Sequence, residues 1–200
     1  SYDTAIDCLI DANPEDLFIF NDSDEIPNLE KVNFGQINNK ILIFKQKMFY
    51  YKFNLYYDLI PWFGSRACTV RRLVTPTWLR YIKPKKYSLL RIDSWLSKTR
   101  YNSVKIIENG GWHFSNVKSP EDIEKKLFNF GHHNEVEESG IDLEKIKEMV
   151  REKKIYYDHL VDKTQQKHRI EGYELKKLDF SELPSYLIKN YETYKKWFDN

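Results

Sequence analysis

The run Leu17-Phe18-Ile19-Phe20-Asn21-Asp22-Ser23-Asp24-Glu25-Ile26-Pro27 constrains this chain more than any other stretch. Four apolar residues pass directly into two carboxylates spaced i, i+2, then a third, then a proline. The apolar run is short and follows Asn13-Pro14 turn chemistry, so it predicts a buried strand over 17–20. Asp22 and Asp24 then stand where that strand ends. In an open α/β sheet, ligands bind outside the carboxyl ends of the strands. Two carboxylates there suit a hard divalent cation, and such a cation suits a diphosphate. A solvated acidic turn has the same pattern, so the motif gains weight only from what accompanies it.

Elsewhere the pattern alternates between strand and helix. Ala5, Ile6, Leu9 and Ile10 predict a short helix within 3–12. Strands are expected over 41–44, 49–57, 66–74 and 104–107. Thr75-Pro76-Thr77 predicts a helix start, with Trp78, Leu79 and Ile82 as its apolar face. Ser119-Pro120-Glu121-Asp122 combines an N-cap serine, a first-turn proline and first-turn acids. Asp142 is the expected cap of the next helix, residues 162–178 read as loop or edge strand, and Pro184 opens a final helix. Alternating strands and helices predict an α/β fold, and 200 residues suit a single domain over 1–200.

Charge is distributed unevenly. Residues 1–30 hold nine acidic residues and no Lys or Arg, whereas residues 40–105 hold fifteen Lys and Arg against Asp58 and Asp93. Three arrangements fit this asymmetry: an acidic, cation-binding edge facing a basic wall, a basic nucleic-acid surface, or two segments that neutralise each other. Cys8 and Cys68 show no metal-ligand spacing and no disulfide framework, so both are expected as buried free thiols, which favours a reducing compartment. No apolar window reaches the ~20 residues of a membrane helix.

A second cluster follows the strand at 104–107: Glu108-Asn109-Gly110-Gly111-Trp112-His113-Phe114-Ser115. Two glycines permit close backbone approach to a ligand. On a loop, Trp112 would add an aromatic face and His113 a titratable ring able to act as metal ligand or proton acceptor. The pair His132-His133 has no partner at metal-site spacing and reads as surface or supporting histidines. No H-E-x-x-H, C-x-x-C, Walker or G-x-G-x-x-G pattern occurs.

Taken in order, three pieces resemble glycosyltransferase family 17, the family of β-1,4-mannosyl-glycoprotein 4-β-N-acetylglucosaminyltransferase. They are Phe18 to Pro27, Gly110 to Ser115, and Leu183-Pro184-Ser185-Tyr186-Leu187-Ile188-Lys189-Asn190-Tyr191. The helix start at Ser119-Pro120-Glu121 and the stretch from Asp142 to Asp158 agree with it. The resemblance implies a GT-A-like, Rossmann-related fold and inverting transfer of GlcNAc from UDP-GlcNAc to a glycan acceptor such as β-linked mannose. It implies Mn²⁺ or Mg²⁺ on Asp22 and Asp24. From the residues themselves, Gly111 and Trp112 are the candidates beside the donor, and His113 and Glu25 are the catalytic candidates. GT-A domains place uridine-binding strands well before this motif. Only 21 residues precede Asp22, so the first strands of such a fold are expected to be missing here.

The chemistry is consistent with those residues. Departing UDP gains negative charge, which a held cation offsets. Arg71, Arg72, Lys85 and Lys86 are candidates to assist. Inversion also needs a base on the opposite face of the sugar, for which Glu25, His113, Glu135 and Asp158 are candidates. Rival classes are a non-catalytic glycan- or nucleic-acid-binding relative and a metal-dependent phosphohydrolase. The last is disfavoured because Glu25-Ile26 follow the second Asp. Neither a nucleic-acid partner nor a membrane segment is expected. The location expected is the cytoplasm for a microbial or viral chain, and the Golgi for a member of a secretory pathway.

Overall fold

The computed structural model describes residues 2–37, 40–85, 90, 103–129, 141–156 and 172–200. In chain order, its strands are β1 (Leu17–Phe20), β2 (Glu25–Pro27), β3 (Ile41–Tyr50), β4 (Leu55–Thr69), β5 (Val104–Ile107), β6 (Gly111–Ser115), β7 (Lys154–Ile155), β8 (Tyr173–Glu174) and β9 (Lys176–Lys177). Its α-helices are α1 (Pro76–Arg80), α2 (Pro120–Asn129), α3 (Leu143–Glu152), α4 (Ser185–Lys189) and α5 (Tyr191–Tyr194). The chain is therefore mixed α/β. Its sheet is mostly antiparallel, however, with β3 and β5 forming a parallel pair. The described residues divide into two compact units: 1–47 with 61–113, and 48–60 with 114–200.

In the first unit the strand order is β1-β4-β3-β6-β2, with β5 beside β3. The central strand β3 begins Ile41-Leu42-Ile43-Phe44, all four fully buried. A strand covered on both faces reads as a continuous apolar run rather than as an alternation. Ile41 and Ile43 pack with Cys68, Leu79, Ile82 and Val104 on one side, while Leu42 and Phe44 pack with Val32, Ile37, Ala67 and Ile107 on the other. β1 alternates between the same two clusters, Phe18 and Phe20 in the first and Leu17 and Ile19 in the second. It lies at the end of the strand order, so all four residues are half-buried rather than buried as expected.

Local chemistry sets the boundaries. The Thr75 side chain accepts from the Trp78 N–H and Pro76 occupies the first turn, which starts α1 where the sequence places it. The strand expected to run to Val74 stops at Thr69. Val70 and Arg71 donate their N–H groups to Asp16 and Pro14, and residues 70–72 turn as a 3₁₀ helix. The N-terminal helix is also 3₁₀, over Tyr2–Leu9. Among the described residues, ion pairs join the acidic N-terminal segment to the basic one, Arg71 to Glu15 at 2.8 Å and Arg80 to Asp22 at 2.6 Å. Such pairing is what mutual neutralisation of the two segments requires.

In the second unit, residues 51–54 turn between the ends of β3 and β4, with Tyr51 in the left-handed region at φ 64°. This hairpin carries no Gly or Pro, which is why the sequence reads as one strand over 49–57. Asn54, fully buried, exchanges two 2.8 Å hydrogen bonds with the Asp199 backbone. Phe53 makes ring contacts with Phe114, Tyr194 and Phe198. Asp142 caps α3 by accepting from Lys145 N–H, and α3 packs on α2, with Ile146, Met149 and Ile123 buried. The final helix expected from Pro184 is instead three short pieces, α4, α5 and a 3₁₀ turn over Lys195–Trp197. Among the described residues, no helix is long and apolar enough to cross a membrane.

The cysteines are both free but differ from each other. Cys8 is exposed, contrary to expectation, because the 3₁₀ segment leaves it at the surface. Cys68 is fully buried, and burial pushes its thiol up to about 12. One thiol is therefore expected to react rapidly with an aromatic disulfide reagent, and the second only as the protein unfolds. Two comparably fast phases in the native protein would contradict this placement.

Candidate functional site

Within the first unit, β1 passes into β2 through the turn Asp22-Ser23-Asp24-Glu25. Glu25 N–H donates to the Asp22 carbonyl at 3.1 Å, closing the turn. The Glu25 carboxylate closes it again, its Oε2 accepting from the Asp22 N–H at 3.3 Å. Asn21 Nδ2 donates to the Asp22 carbonyl at 3.0 Å. Asp22 and Asp24 emerge from this turn partly exposed, with side chains 33% and 32% accessible.

Beneath them, Glu25 is only 3% exposed. Trp62 Nε1 donates to its Oε1 at 2.8 Å, and Ser65 Oγ donates to its Oε2 at 3.3 Å. Gln46 Nε2 donates in turn to Ser65 Oγ at 3.1 Å. Burial pushes the Glu25 carboxyl above its ordinary range. The Trp62 bond opposes that rise, and the neighbouring Asp22 charge adds to it. In a regular strand, residues 62 and 65 would lie on opposite faces. Both reach Glu25, so β4 departs from strict alternation between them. Gly64 sits in that interval because a Cβ there would stand 1.9 Å from Gln46 Oε1 and 2.7 Å from both Glu25 Oε1 and Trp62 Nε1.

The strand pairing brings in His113. In the β2–β6 register Glu25 lies opposite His113, Ile26 opposite Trp112 and Pro27 opposite Gly111. The His113 ring stacks on Trp62 with centroids 4.4 Å apart and planes 16° from parallel. Its Nδ1 lies 3.6 Å from Asp24 Oδ1, beyond a normal hydrogen bond. On the other side of the turn, Arg80 Nη2 donates to Asp22 Oδ2 at 2.6 Å, and its guanidinium lies 5.8 Å from the Phe20 ring centroid.

The Gly110-Gly111 segment corrects one expectation. Residues 111–115 are a strand and not a loop. Alternation then sends Trp112 and His113 to opposite faces of β6, so the indole stands opposite Ile26 while the imidazole stands opposite Glu25. Both glycines serve close backbone packing. Gly110 donates to the Lys45 carbonyl and accepts from Asn28 N–H, each at 2.8 Å. Gly111 adopts φ +129°, and a Cβ there would stand 2.0 Å from the Ile26 carbonyl oxygen.

The fold therefore gathers Asp22, Asp24, Glu25 and His113 and leaves Trp112 on the opposite strand face. Of the basic candidates, Arg71 pairs with Glu15 and Lys85 is exposed. Lys86, His132, His133, Glu135 and Asp158 lie outside the described residues. Arg80, Trp62, Ser65, Gln46 and Gly64 were not singled out from sequence. They come from β3, β4 and α1, and no local motif marks them. The one available signal was Gly64-Ser65, small residues in the middle of a strand rich in aromatic and apolar side chains.

As donors, Asp22 and Asp24 suit a hard cation that keeps most of its shell as water or phosphate oxygen. Such an ion needs only one or two protein carboxylates. Among the described residues, no group of three or more His, Cys, Asp or Glu is arranged to hold a metal. The fit thus extends to a cation shared with a ligand and not to an all-protein cage. No protein-family model, curated protein or solved structure matches the chain.

Proposed function

We propose that this protein is an inverting glycosyltransferase that moves GlcNAc from UDP-GlcNAc to a glycan acceptor, such as one ending in β-linked mannose, with Mn²⁺ or Mg²⁺. The observation that carries the reading is the acidic turn. Two partly exposed carboxylates are presented from a doubly closed backbone, with a guanidinium at one side and an imidazole at the other. The finer fold belonging to this reading is GT-A-like and Rossmann-related. When bound, the cation would offset the charge that develops on departing UDP.

In this reading Asp22 and Asp24 hold the cation. Arg80 adds positive charge beside Asp22, where a diphosphate oxygen can compete for its N–H groups. Inversion requires the proton acceptor to lie across the sugar from the leaving group. His113 lies 3.6 Å from Asp24, on the leaving-group side, so it serves the donor diphosphate better than the acceptor hydroxyl. Glu25 is buried and already accepts three hydrogen bonds, so it is poorly placed to take that proton. Gly111 and Trp112 remain donor-side candidates from the sequence alone.

The test is turnover. Protein, UDP-GlcNAc, MnCl₂ and a panel of mannose-terminated glycans are expected to yield UDP and an acceptor heavier by one N-acetylhexosamine. Transfer should stop on adding a chelator and resume on adding excess Mn²⁺. Release of phosphate from phosphomonoesters, with no sugar transfer to any acceptor, would instead identify a phosphohydrolase and overturn the proposal.

A further inference from the structure

We propose that Glu25 is a positioning residue: buried beneath the acidic turn, it fixes the backbone that presents Asp22 and Asp24, and it does not touch the substrate. The role assigned to those two carboxylates rests on the transferase reading above. The role of Glu25 in shaping the turn rests on the geometry alone.

The turn has two closures, and both belong to Glu25. Its N–H donates to the Asp22 carbonyl, and its Oε2 accepts from the Asp22 N–H. A backbone closure alone would leave the carboxylate dispensable. The side-chain closure makes it necessary, because the Asp22 N–H has Oε2 as its acceptor. The carboxylate is itself held from β4 by Trp62 and Ser65, and Ser65 is held from β3 by Gln46. The turn is therefore connected through one side chain to the interior of the sheet. Opposite Glu25, the His113 ring stacks on the same Trp62 that donates to Oε1. Moving the Glu25 carboxylate would thus disturb the Asp22 side of the turn directly. It would also disturb the Asp24–His113 approach through Trp62. Gly64 leaves the room that lets Gln46, Trp62 and Glu25 converge.

Two variants separate this role from simple loss of a buried group. Glu25→Ala removes every bond. Glu25→Gln keeps one carbonyl oxygen, which can still accept from Trp62 Nε1. Its amide nitrogen then faces Ser65 Oγ and the Asp22 N–H, and it cannot accept from the latter. The 200-residue chain, ¹⁵N-labelled, is examined by NMR hydrogen exchange and by titration with MnCl₂ alone. In Glu25→Gln the Trp62 indole resonance should stay near its wild-type position. The Asp22 amide should exchange at least tenfold faster while the Leu79 amide in α1 keeps its protection. In Glu25→Ala the indole resonance should move as well. Should Glu25→Ala fail to fold, Glu25→Gln carries the test.

An unchanged Asp22 amide in folded Glu25→Gln would overturn the proposal. If wild type shows Mn²⁺ broadening of the Ser23 and Asp24 amides, Glu25→Gln should need at least tenfold more Mn²⁺ for the same effect. Equal Mn²⁺ requirements would also overturn the proposal. A wild type that shows no Mn²⁺ broadening, with the Asp22 amide still freed in Glu25→Gln, would count against the metal-dependent transferase while upholding the positioning role.

Discussion

Asp24→Ala is expected to weaken Mn²⁺-dependent binding of UDP-GlcNAc by at least tenfold, about 1.4 kcal/mol, with little change in thermal stability. The carboxylate is partly exposed on the turn, and His113 Nδ1 lies 3.6 Å from its Oδ1, beyond a normal hydrogen bond. Its removal leaves the Glu25 bonds to Trp62, Ser65 and the Asp22 N–H in place. The buried support of the turn is kept, whereas one of two candidate cation ligands disappears. Asp22→Ala is a less clean probe because it also strips Arg80 of its 2.6 Å partner. Calorimetric titration of the variant with UDP-GlcNAc in MnCl₂ checks the expectation, with a melting curve to confirm the fold. Wild-type affinity in Asp24→Ala would remove that residue from the donor site.

Gly111→Ala is expected to be the most damaging single-methyl change, costing about 3 kcal/mol or more. The residue holds φ +129°, a region that side chains other than glycine strongly resist, and the new Cβ would meet the Ile26 carbonyl at 2.0 Å. That carbonyl is backbone and cannot rotate aside. Relief requires β2 and β6 to separate, and the same pairing sets Glu25 opposite His113 two residues along. At roughly 2–4 °C per kcal/mol for a chain of this size, the melting temperature should fall by roughly 6–12 °C. Gly64→Ala makes a useful contrast. Its close neighbours are the tips of Gln46, Glu25 and Trp62, which can move at the expense of their hydrogen bonds. A melting temperature for Gly111→Ala within a degree of wild type would contradict the tight β2–β6 approach.

The sequence made the local elements legible where a named group does a defined job. Thr75, Pro76 and Asp142 mark helix starts because their oxygens and ring have specific uses in a first turn. Leu17 to Phe20 reads as a strand because four apolar residues between turn signals have few alternatives. The acidic turn was legible for the same reason, since Asp22 and Asp24 follow that strand directly. Topology was less legible. An apolar run such as Ile41 to Phe44 reports burial on both faces, and burial does not say whether the neighbours run parallel or antiparallel. Gly110 does lie in the connection before β6, but Gly111 lies in the strand and not on a loop, because glycine permits both a ligand's approach and a strand's. Only the partner's position, here the Ile26 carbonyl, distinguishes them.

The rest of the site was hidden because it is assembled by pairing. Trp62 and Ser65 meet Glu25 from 37 and 40 residues away, and Arg80 meets Asp22 from 58. Periodicity within one segment carries no information about such contacts. Glu25 illustrates the consequence. Read along the chain, it is a third acid in an acidic motif and a candidate base. Read in the fold, it is 3% exposed and accepts from Trp62, Ser65 and Asp22, which makes it a support for the two acids before it.

The most direct test of the donor-site reading is calorimetric titration of UDP-GlcNAc into the wild-type chain, once with MnCl₂ and once with chelator. The account predicts saturable binding with Mn²⁺ that falls at least tenfold without it. Binding of equal strength in both conditions, or none in either, would contradict a metal-dependent donor site at Asp22 and Asp24.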